Sequence, residues 1–368
     1  MKNCFSILLL VSTVFLIGCF PVELSVSKDG QVLIPRQEGF YLLKTADAAE
    51  AKLIYSPKGE KPVWAAFTPD ASSVLALSQG KGDMGDTNYT LRRMGPDASA
   101  LKALMTASNL LYARVSPDGA KVSLARASDT ESKTLAKKMP ELLVVSTADG
   151  AKKPLLSDVA AVHRWTTDGK GILAVHVTSR EKDGDQYVGK LVIVAVADGK
   201  TTDAASVLAG DKIYMDVSPD GNKVLLTALK VLPTAQAVPA KSDEKPSLFE
   251  IDLRSGQVRL LKQKALLGVY SPKGDKVLAA TEGGEGTTEL SIASGDMKEF
   301  KTIATDAAKS AGSSEIYPGW LNNDTVLYVG LRAVYGTEAK NFQLMALSAD
   351  GKTRRNFQPT IDQAVEQK

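Results

Sequence analysis

A tight-turn segment recurs along the whole of this chain, built from an aromatic residue or Val, then Ser or Thr, Pro, Asp and Gly, and followed by a short apolar run. The copies are Val26-Ser27-Lys28-Asp29-Gly30, Phe67-Thr68-Pro69-Asp70-Ala71, Val115-Ser116-Pro117-Asp118-Gly119 and Trp165-Thr166-Thr167-Asp168-Gly169. Val217-Ser218-Pro219-Asp220-Gly221, Tyr270-Ser271-Pro272-Lys273-Gly274 and the degenerate Trp320-Leu321-Asn322-Asn323-Asp324 complete the series. Anchored on the second residue of each copy, successive steps are 41, 48, 50, 52, 53 and 50 residues. A four-stranded propeller blade takes about 40 to 50 residues. The repeats therefore predict an all-β chain, a single β-propeller over residues 22–358 with seven four-stranded blades, followed by a C-terminal tail at 359–368. The spacing alone leaves six or eight blades as alternatives.

The turn chemistry supports this reading. Pro pre-sets the backbone at the first central position, Asp tolerates the second, and Gly supplies a positive φ at the exit. The runs that follow, such as Val74-Leu75-Ala76-Leu77, Val224-Leu225-Leu226 and Val277-Leu278-Ala279-Ala280, suit strands covered on both faces. A second unit follows at variable distance, an apolar strand ending in a Gly/Asp turn. Leu142–Ser146, Leu191–Val196, Leu248–Leu253 and Phe342–Leu347 are examples. Tyr55-Ser56-Pro57-Lys58-Gly59 has the repeat's form but lies too close to Thr68 to start a blade. It is expected to connect blades one and two.

The N-terminus carries a different signal. Met1-Lys2-Asn3 precedes an apolar run from Phe5 to Ile17. That run is short for a bilayer span of roughly 20 residues and fits the hydrophobic region of a secretory signal. It ends in Leu16-Ile17-Gly18-Cys19, which resembles the lipobox of bacterial lipoproteins. The resemblance implies a signal peptide at 1–18, cleavage after Gly18, lipid on the Cys19 thiol with palmitate among the acyl chains, and a short tether at 19–21. The two cysteines are Cys4 and Cys19, so the exported domain would hold no thiol for a disulfide, a zinc site or a nucleophile. Composition is that of an ordinary globular protein, with 44% hydrophobic and 24% charged residues and a formal charge of +3. This balance excludes the strongly basic class of nucleic-acid binders.

The repeats resemble the WD-repeat-like propellers with Ser-Pro-Asp-Gly turns found in TolB-like envelope proteins and in the propeller domains of some exported peptidases. In general plan the chain is similar to the propeller lipoprotein of the outer-membrane barrel-assembly machinery. The resemblance covers nearly all of the exported chain and is specific for fold rather than function. It implies a lipid-anchored cell-envelope protein, at the outer membrane and facing the periplasm in a Gram-negative cell. Its propeller would act as a non-catalytic binding or scaffold module for an envelope protein or a small anionic ligand. The competing expectation is a carbohydrate-active or hydrolytic enzyme with its site in the central funnel.

The anchors align the inner strands and single out candidate funnel residues. Two positions before each anchor stand Ser25, Ala66, Arg114, Arg164, Asp216, Val269 and Gly319; four before stand Glu23, Trp64, Tyr112, Val162, Tyr214, Leu267 and Tyr317. Residues two apart on a strand share a side, so Tyr112, Arg114, Arg164, Tyr214, Asp216 and Tyr317 are expected to meet near the axis. Such a set suits either an anionic ligand held by paired Arg donors or an Arg–Asp–Arg ion-pair set bracing the blades. The second is the expected role. His163, one residue from Arg164, is expected on the opposite side.

Variable loops between second and third strands form the other candidate surface: Gln79–Asn88, Ala127–Pro140 with Lys133, Lys137 and Lys138, Ser179–Gly189, and Lys230–Pro246. The Asp pairs Asp83/Asp86 and Asp183/Asp185 lack the spacing of a calcium loop. No Gly-x-Ser-x-Gly or phosphate-cradling motif occurs, and neither a metal nor another cofactor is expected. With Val22–Val26 as the innermost strand of blade one, the loop-bearing face would lie within about 10 Å of the membrane. Phe20 after the cysteine is consistent with sorting to the outer membrane in enterobacteria.

Overall fold

The computed structural model describes residues 22–45, 50–81, 87–128, 132, 135, 139–180, 185–210, 213–284, 287–308, 316–333 and 340–366. The signal peptide, Cys19 and its tether lie outside these residues. So do Lys133, Lys137, Lys138, Asp83, Asp86 and Asp183.

Strands dominate the described chain, in repeated four-stranded antiparallel meanders. The inner strands are, in order, Ser25–Val26, Lys61–Phe67, Leu110–Val115, Val159–Trp165, Tyr214–Val217, Ala265–Tyr270 and Gly319–Asn322. The last two open the sixth and seventh sheets, which are two halves of one eight-stranded sheet joined where Ala307 pairs with Gly330. The third sheet shows the plan, running Leu110–Val115, Lys121–Ala127, Pro140–Ser146 and Lys152–Leu156 from inside to outside. Ser56 to Glu60 connects the outer strand Glu50–Tyr55 of the first sheet to the inner strand of the second, as expected for the Ser-Pro-Lys-Gly decoy.

The sheets stack face to face around a ring. Buried residues fall into clusters that each straddle neighbours: Leu33, Phe40, Ala65 and Val74 join first to second, and Leu75, Leu77, Leu124 and Val145 join second to third. Leu142, Ile172 and Val194 join third to fourth; Leu173, Val207, Val224 and Ile251 join fourth to fifth. Leu225, Val277 and Ala293 join fifth to sixth, and Leu278, Leu290, Val326 and Leu347 join sixth to seventh. The last cluster sets Val32, Tyr41 and Leu43 of the first sheet against Leu327 and Leu344 of the seventh. This is where the double-sided apolar runs go, since each sheet buries both faces.

The repeated turn is held by a side chain. The Ser or Thr hydroxyl accepts from the backbone N–H four or five residues on, as Ser116 does from Lys121 at 2.9 Å and Ser218 from Lys223 at 2.9 Å. It donates to the Asp two residues on, and that Asp accepts from the N–H after the turn, as in Thr166–Asp168–Lys170. In the sixth sheet Lys273 takes the Asp position and Ser271 bonds Asp275 at 2.9 Å instead. The seventh copy departs, with Asn322 Oδ1 accepting from Asp324 N–H in a shorter hairpin.

Two expectations are corrected, and the tail gains a definite form. The first inner strand is not continuous from Val22 to Val26: only Ser25–Val26 pairs with Gln31–Arg36. Extending that register would bring Glu23 opposite Pro35, which has no N–H for a ladder. Val22–Glu23 instead pairs in parallel with Ile316–Tyr317. The C-terminal tail is an α-helix, Gln358–Glu366, whose Ile361 packs with Phe357 in the cluster joining first and seventh sheets. Within the long Lys230–Pro246 loop, Lys230–Pro233 forms a fifth strand on the outer edge of the fourth sheet, antiparallel to Thr201–Ala209.

The register also sets the faces. Ser25 and Val26 face Leu33 and Val32, so Val22 enters at the end away from the short turns. Backbone bonds such as Thr147 N–H to Ala120 O gather the short turns at one end. Ala127 N–H to Asn109 O and Leu229 N–H to Leu208 O gather the variable connections at the other.

Candidate functional site

The six residues aligned by the repeat do converge. Arg164 is buried, and its guanidinium carbon lies 5.6 Å from the ring centre of Tyr112 in the third sheet and 5.0 Å from that of Tyr214 in the fifth. An Arg between two aromatic faces is a desolvated cation–π arrangement, worth roughly 2 kcal/mol per ring at the favourable end. Its Nε stands 3.7 Å from Asp216 Oδ1, and its Nη1 donates to the Tyr112 hydroxyl and to the backbone O of His163. Arg114 Nη2 donates to the same Tyr112 hydroxyl at 2.6 Å, its guanidinium carbon 4.9 Å from that ring. Tyr214 and Tyr317 meet edge to face with ring centres 5.3 Å apart.

Asp216 is tied from a second side. Its Oδ2 accepts from the backbone N–H of Tyr270 in the sixth sheet at 2.9 Å. The same lateral bond recurs between first and second sheets, where Ser25 Oγ accepts from Phe67 N–H at 3.0 Å. Both acceptors stand two residues before an anchor, and both donors one residue before the next. Indole N–H groups add a parallel set: Trp165 donates to Arg114 O at 3.1 Å and Trp320 to Val269 O at 3.2 Å.

The electrostatics follow from burial. Burial holds the Tyr112 and Tyr214 phenols above their ordinary pKa, so both are neutral hydroxyls. Burial raises the Asp216 carboxyl, while the Arg164 charge pulls it down. For Arg114, burial and the neighbouring Arg164 charge lower the pKa, yet a guanidinium keeps its proton. Asp216 is a carboxylate that feels both the Arg164 and the Arg114 charge.

His163 lies on the side opposite to Arg164, as strand alternation predicts, since the two pair in regular register with Ala174 and Leu173. It faces the third sheet, and from there its ring meets Tyr112 edge-on at 5.1 Å. Nδ1 lies 2.9 Å from Ala161 O and must donate to it; Nε2 then accepts from Ser123 Oγ at 2.8 Å. The ring is fully buried, and burial, reinforced by Arg114 and Arg164, pushes its pKa down to about 3. It is a neutral packing histidine with both nitrogens engaged.

Two further charged sets lie off the axis and had no signal in the sequence. Glu60, beside the first-to-second connection, bonds Arg92 at 2.8 Å as well as Ser78. Arg92 holds the Glu60 carboxyl below its usual range. Buried Glu250 accepts from Arg259 at 2.9 Å, from Lys223 at 3.2 Å and from the Tyr270 hydroxyl at 3.1 Å. Both couple neighbouring strands or sheets. Among the described residues no three His, Cys, Asp or Glu side chains are grouped as a metal site would need.

No protein-family model matches this sequence, and no curated protein matches it. The propeller domain of the trilobed protease from Pyrococcus furiosus matches with a TM-score of 0.50 at 15% identity, over 78% of this chain and 82% of that one. A prolyl endopeptidase structure matches with a TM-score of 0.61 at 12% identity, over 90% of this chain but 48% of the endopeptidase. The fold is a β-propeller. TolB from Acinetobacter baumannii is also similar, with a TM-score of 0.49 at 14% identity over 89% of this chain and 78% of TolB. At such identities the likeness concerns architecture and not activity.

Proposed function

We propose that this chain is a lipid-anchored cell-envelope protein whose seven-bladed propeller is a non-catalytic scaffold that binds a protein partner through its loop-bearing face. The observation that carries this reading is that Asp216, Arg164 and His163 of the axial cluster are engaged by neighbouring blades. Asp216 is engaged by Arg164 and by the Tyr270 N–H, and His163 by Ala161 and Ser123. A catalytic funnel needs an acid or base poised toward substrate. Here the titratable groups are turned to neighbouring blades, as in a brace.

Four four-stranded sheets, one of five strands and one of eight that runs through two meanders, with the first packed on the last, support the blade count. The entry of Val22 at the loop end supports the orientation. A lipid on Cys19 would then hold the variable connections toward the membrane, where an embedded partner would meet them.

Photo-cross-linking residues placed at Glu38 and Gln263 on the loop face, and at Asp118 and Asp168 on the turn face, test this in the lipidated protein in its native envelope. The expected result is one protein captured from the loop positions, lost when Cys19 is replaced by Ser. Capture confined to the turn face, or no capture from any position, would overturn the reading.

A further inference from the structure

The strand Lys230–Pro233 creates a groove that no repeat of the propeller requires. It hangs on the outer edge of the fourth sheet, and between it and the fifth sheet lies a cleft of about 600 Å³. Phe249, Val258 and Leu260 form its apolar wall. Leu260 is 47% exposed, one of two large apolar side chains so exposed among the described residues. It stands on Val258–Lys262, the outermost strand of the fifth sheet, whose outer edge has no strand partner among the described residues.

The rim is cationic. Lys230, Lys245 and Lys264 line the groove against the single carboxylate of Glu244, which lies 3.6 Å from Lys230. Lys264 is held there at a cost, because its φ of 55° is left-handed. The corresponding connections place Asn109 at 57° and Asp158 at 55°, residues whose short polar side chains tolerate that region. A lysine gains no such relief, and its charge is what the position adds.

Resting on the scaffold reading above, we propose that this groove binds an extended, acidic and apolar segment of a partner protein. The segment adds as a strand to the edge of Val258–Lys262, much as Lys230–Pro233 adds to the fourth sheet. Main-chain bonds to a sheet edge supply affinity, and side-chain pockets at alternate positions supply selectivity. Apolar side chains of the segment meet Phe249, Val258 and Leu260; its carboxylates meet the three lysines. Uncovered, an edge beside an exposed Leu is an aggregation hazard, which an occupant removes.

The probe is a library of short random peptides displayed on phage and selected against the full exported domain. Recovered peptides should alternate acidic with apolar residues. They should bind Leu260→Ser and Lys264→Asn at least about tenfold more weakly, and more weakly still in high salt. Lys264→Asn suits the left-handed backbone, so lost binding without lost stability reports the charge. No selected binder, basic binders, or binders indifferent to both variants would overturn the proposal. So would a dimer in sedimentation that Leu260→Ser dissolves, since the occupant would then be a second copy. Loop-face capture from Glu38 that persists in both variants would sink the groove alone and leave the scaffold reading intact.

Discussion

The Nε of Arg164 lies 3.7 Å from a carboxylate oxygen of Asp216, joining the inner strands of two successive blades. The pair differs from a surface ion pair, because Arg164 is 7% exposed and Asp216 also accepts the Tyr270 N–H. Removing one partner of a desolvated pair leaves an uncompensated charge.

Asp216→Ala should therefore destabilise the domain by about 2 to 3 kcal/mol. The lower end reflects the side chain's residual exposure. Asp216→Asn keeps an acceptor for Tyr270 and should cost less. Combining Asp216→Asn with Arg164→Met should recover much of the loss, since neither charge then remains buried. Urea unfolding of the four proteins checks this, and an unchanged midpoint for Asp216→Ala would show that the pair braces nothing.

How much of this brace could be read in the sequence depends on what kind of partner each residue has. The turn anchors gave a common ruler, and residues at equal distance from it, such as Arg114, Arg164 and Asp216, do lie together. The acceptor role of Asp216 toward Tyr270 was not legible, because its donor is a backbone N–H that every residue type presents. His163 does lie opposite Arg164 as alternation requires, but its edge contact with Tyr112 was not legible, because it depends on how far that ring reaches from the third sheet. At the fold level, local turns such as Ser116–Lys121 announce themselves within six residues. Val22–Glu23 pairing with Ile316–Tyr317, and Lys230–Pro233 on the fourth sheet, are short pairings between remote segments. Nothing in their own composition names the partner.

Ala71 offers a sharper local test. It occupies the position at which five sibling turns have glycine, with φ of 57°. A side chain in the left-handed region costs roughly 1 to 2 kcal/mol, partly offset by the greater freedom glycine has when unfolded. Ala71→Gly should stabilise the domain by up to about 1 kcal/mol, and Gly119→Ala, at φ 70°, should destabilise it. Thermal unfolding in which both changes have the same sign would refute the conformational argument.

The buried imidazole predicts a pH dependence. His163 has its pKa pushed down to about 3 in the folded protein, against about 6.5 in an unfolded chain. Between those values the unfolded chain binds a proton that the folded chain does not, so acid favours unfolding. Stability from this group is fully present above about pH 6.5 and falls by up to about 1.4 kcal/mol per pH unit below it. The turn aspartates act lower: Asp70 and Asp220 are held at about 2 by hydroxyl and N–H donors. Their contribution is present above the ordinary carboxylate pKa and lost as pH falls toward 2. His163→Gln should flatten the stability profile between pH 6.5 and 4.5. If that variant fails to fold, NMR titration of the imidazole in the unaltered protein decides the matter. Protonation near pH 6 in the folded state would contradict the account.

The C-terminal helix seals the junction where first and last blades meet, and its two kinds of contact should weigh differently. Ile361 is 1% exposed and Phe357 is 1% exposed, both within the cluster of Val32, Tyr41, Leu327 and Leu344. Arg36 reaches Asp362 at 3.4 Å, but both side chains are substantially solvated. Ile361→Ala should cost about 2 to 4 kcal/mol through lost burial and the cavity left behind. Arg36→Ala should cost under about 1 kcal/mol, because an exposed pair is screened and entropically expensive. Hydrogen exchange adds the spatial test. In Ile361→Ala, protection should fall first in Gln31–Arg36 and in Thr325–Ala333, the strands that flank the junction, while the third to fifth blades keep theirs. Uniform loss of protection around the ring would mean instead that the propeller opens as one cooperative unit, with no weak seam at its closure.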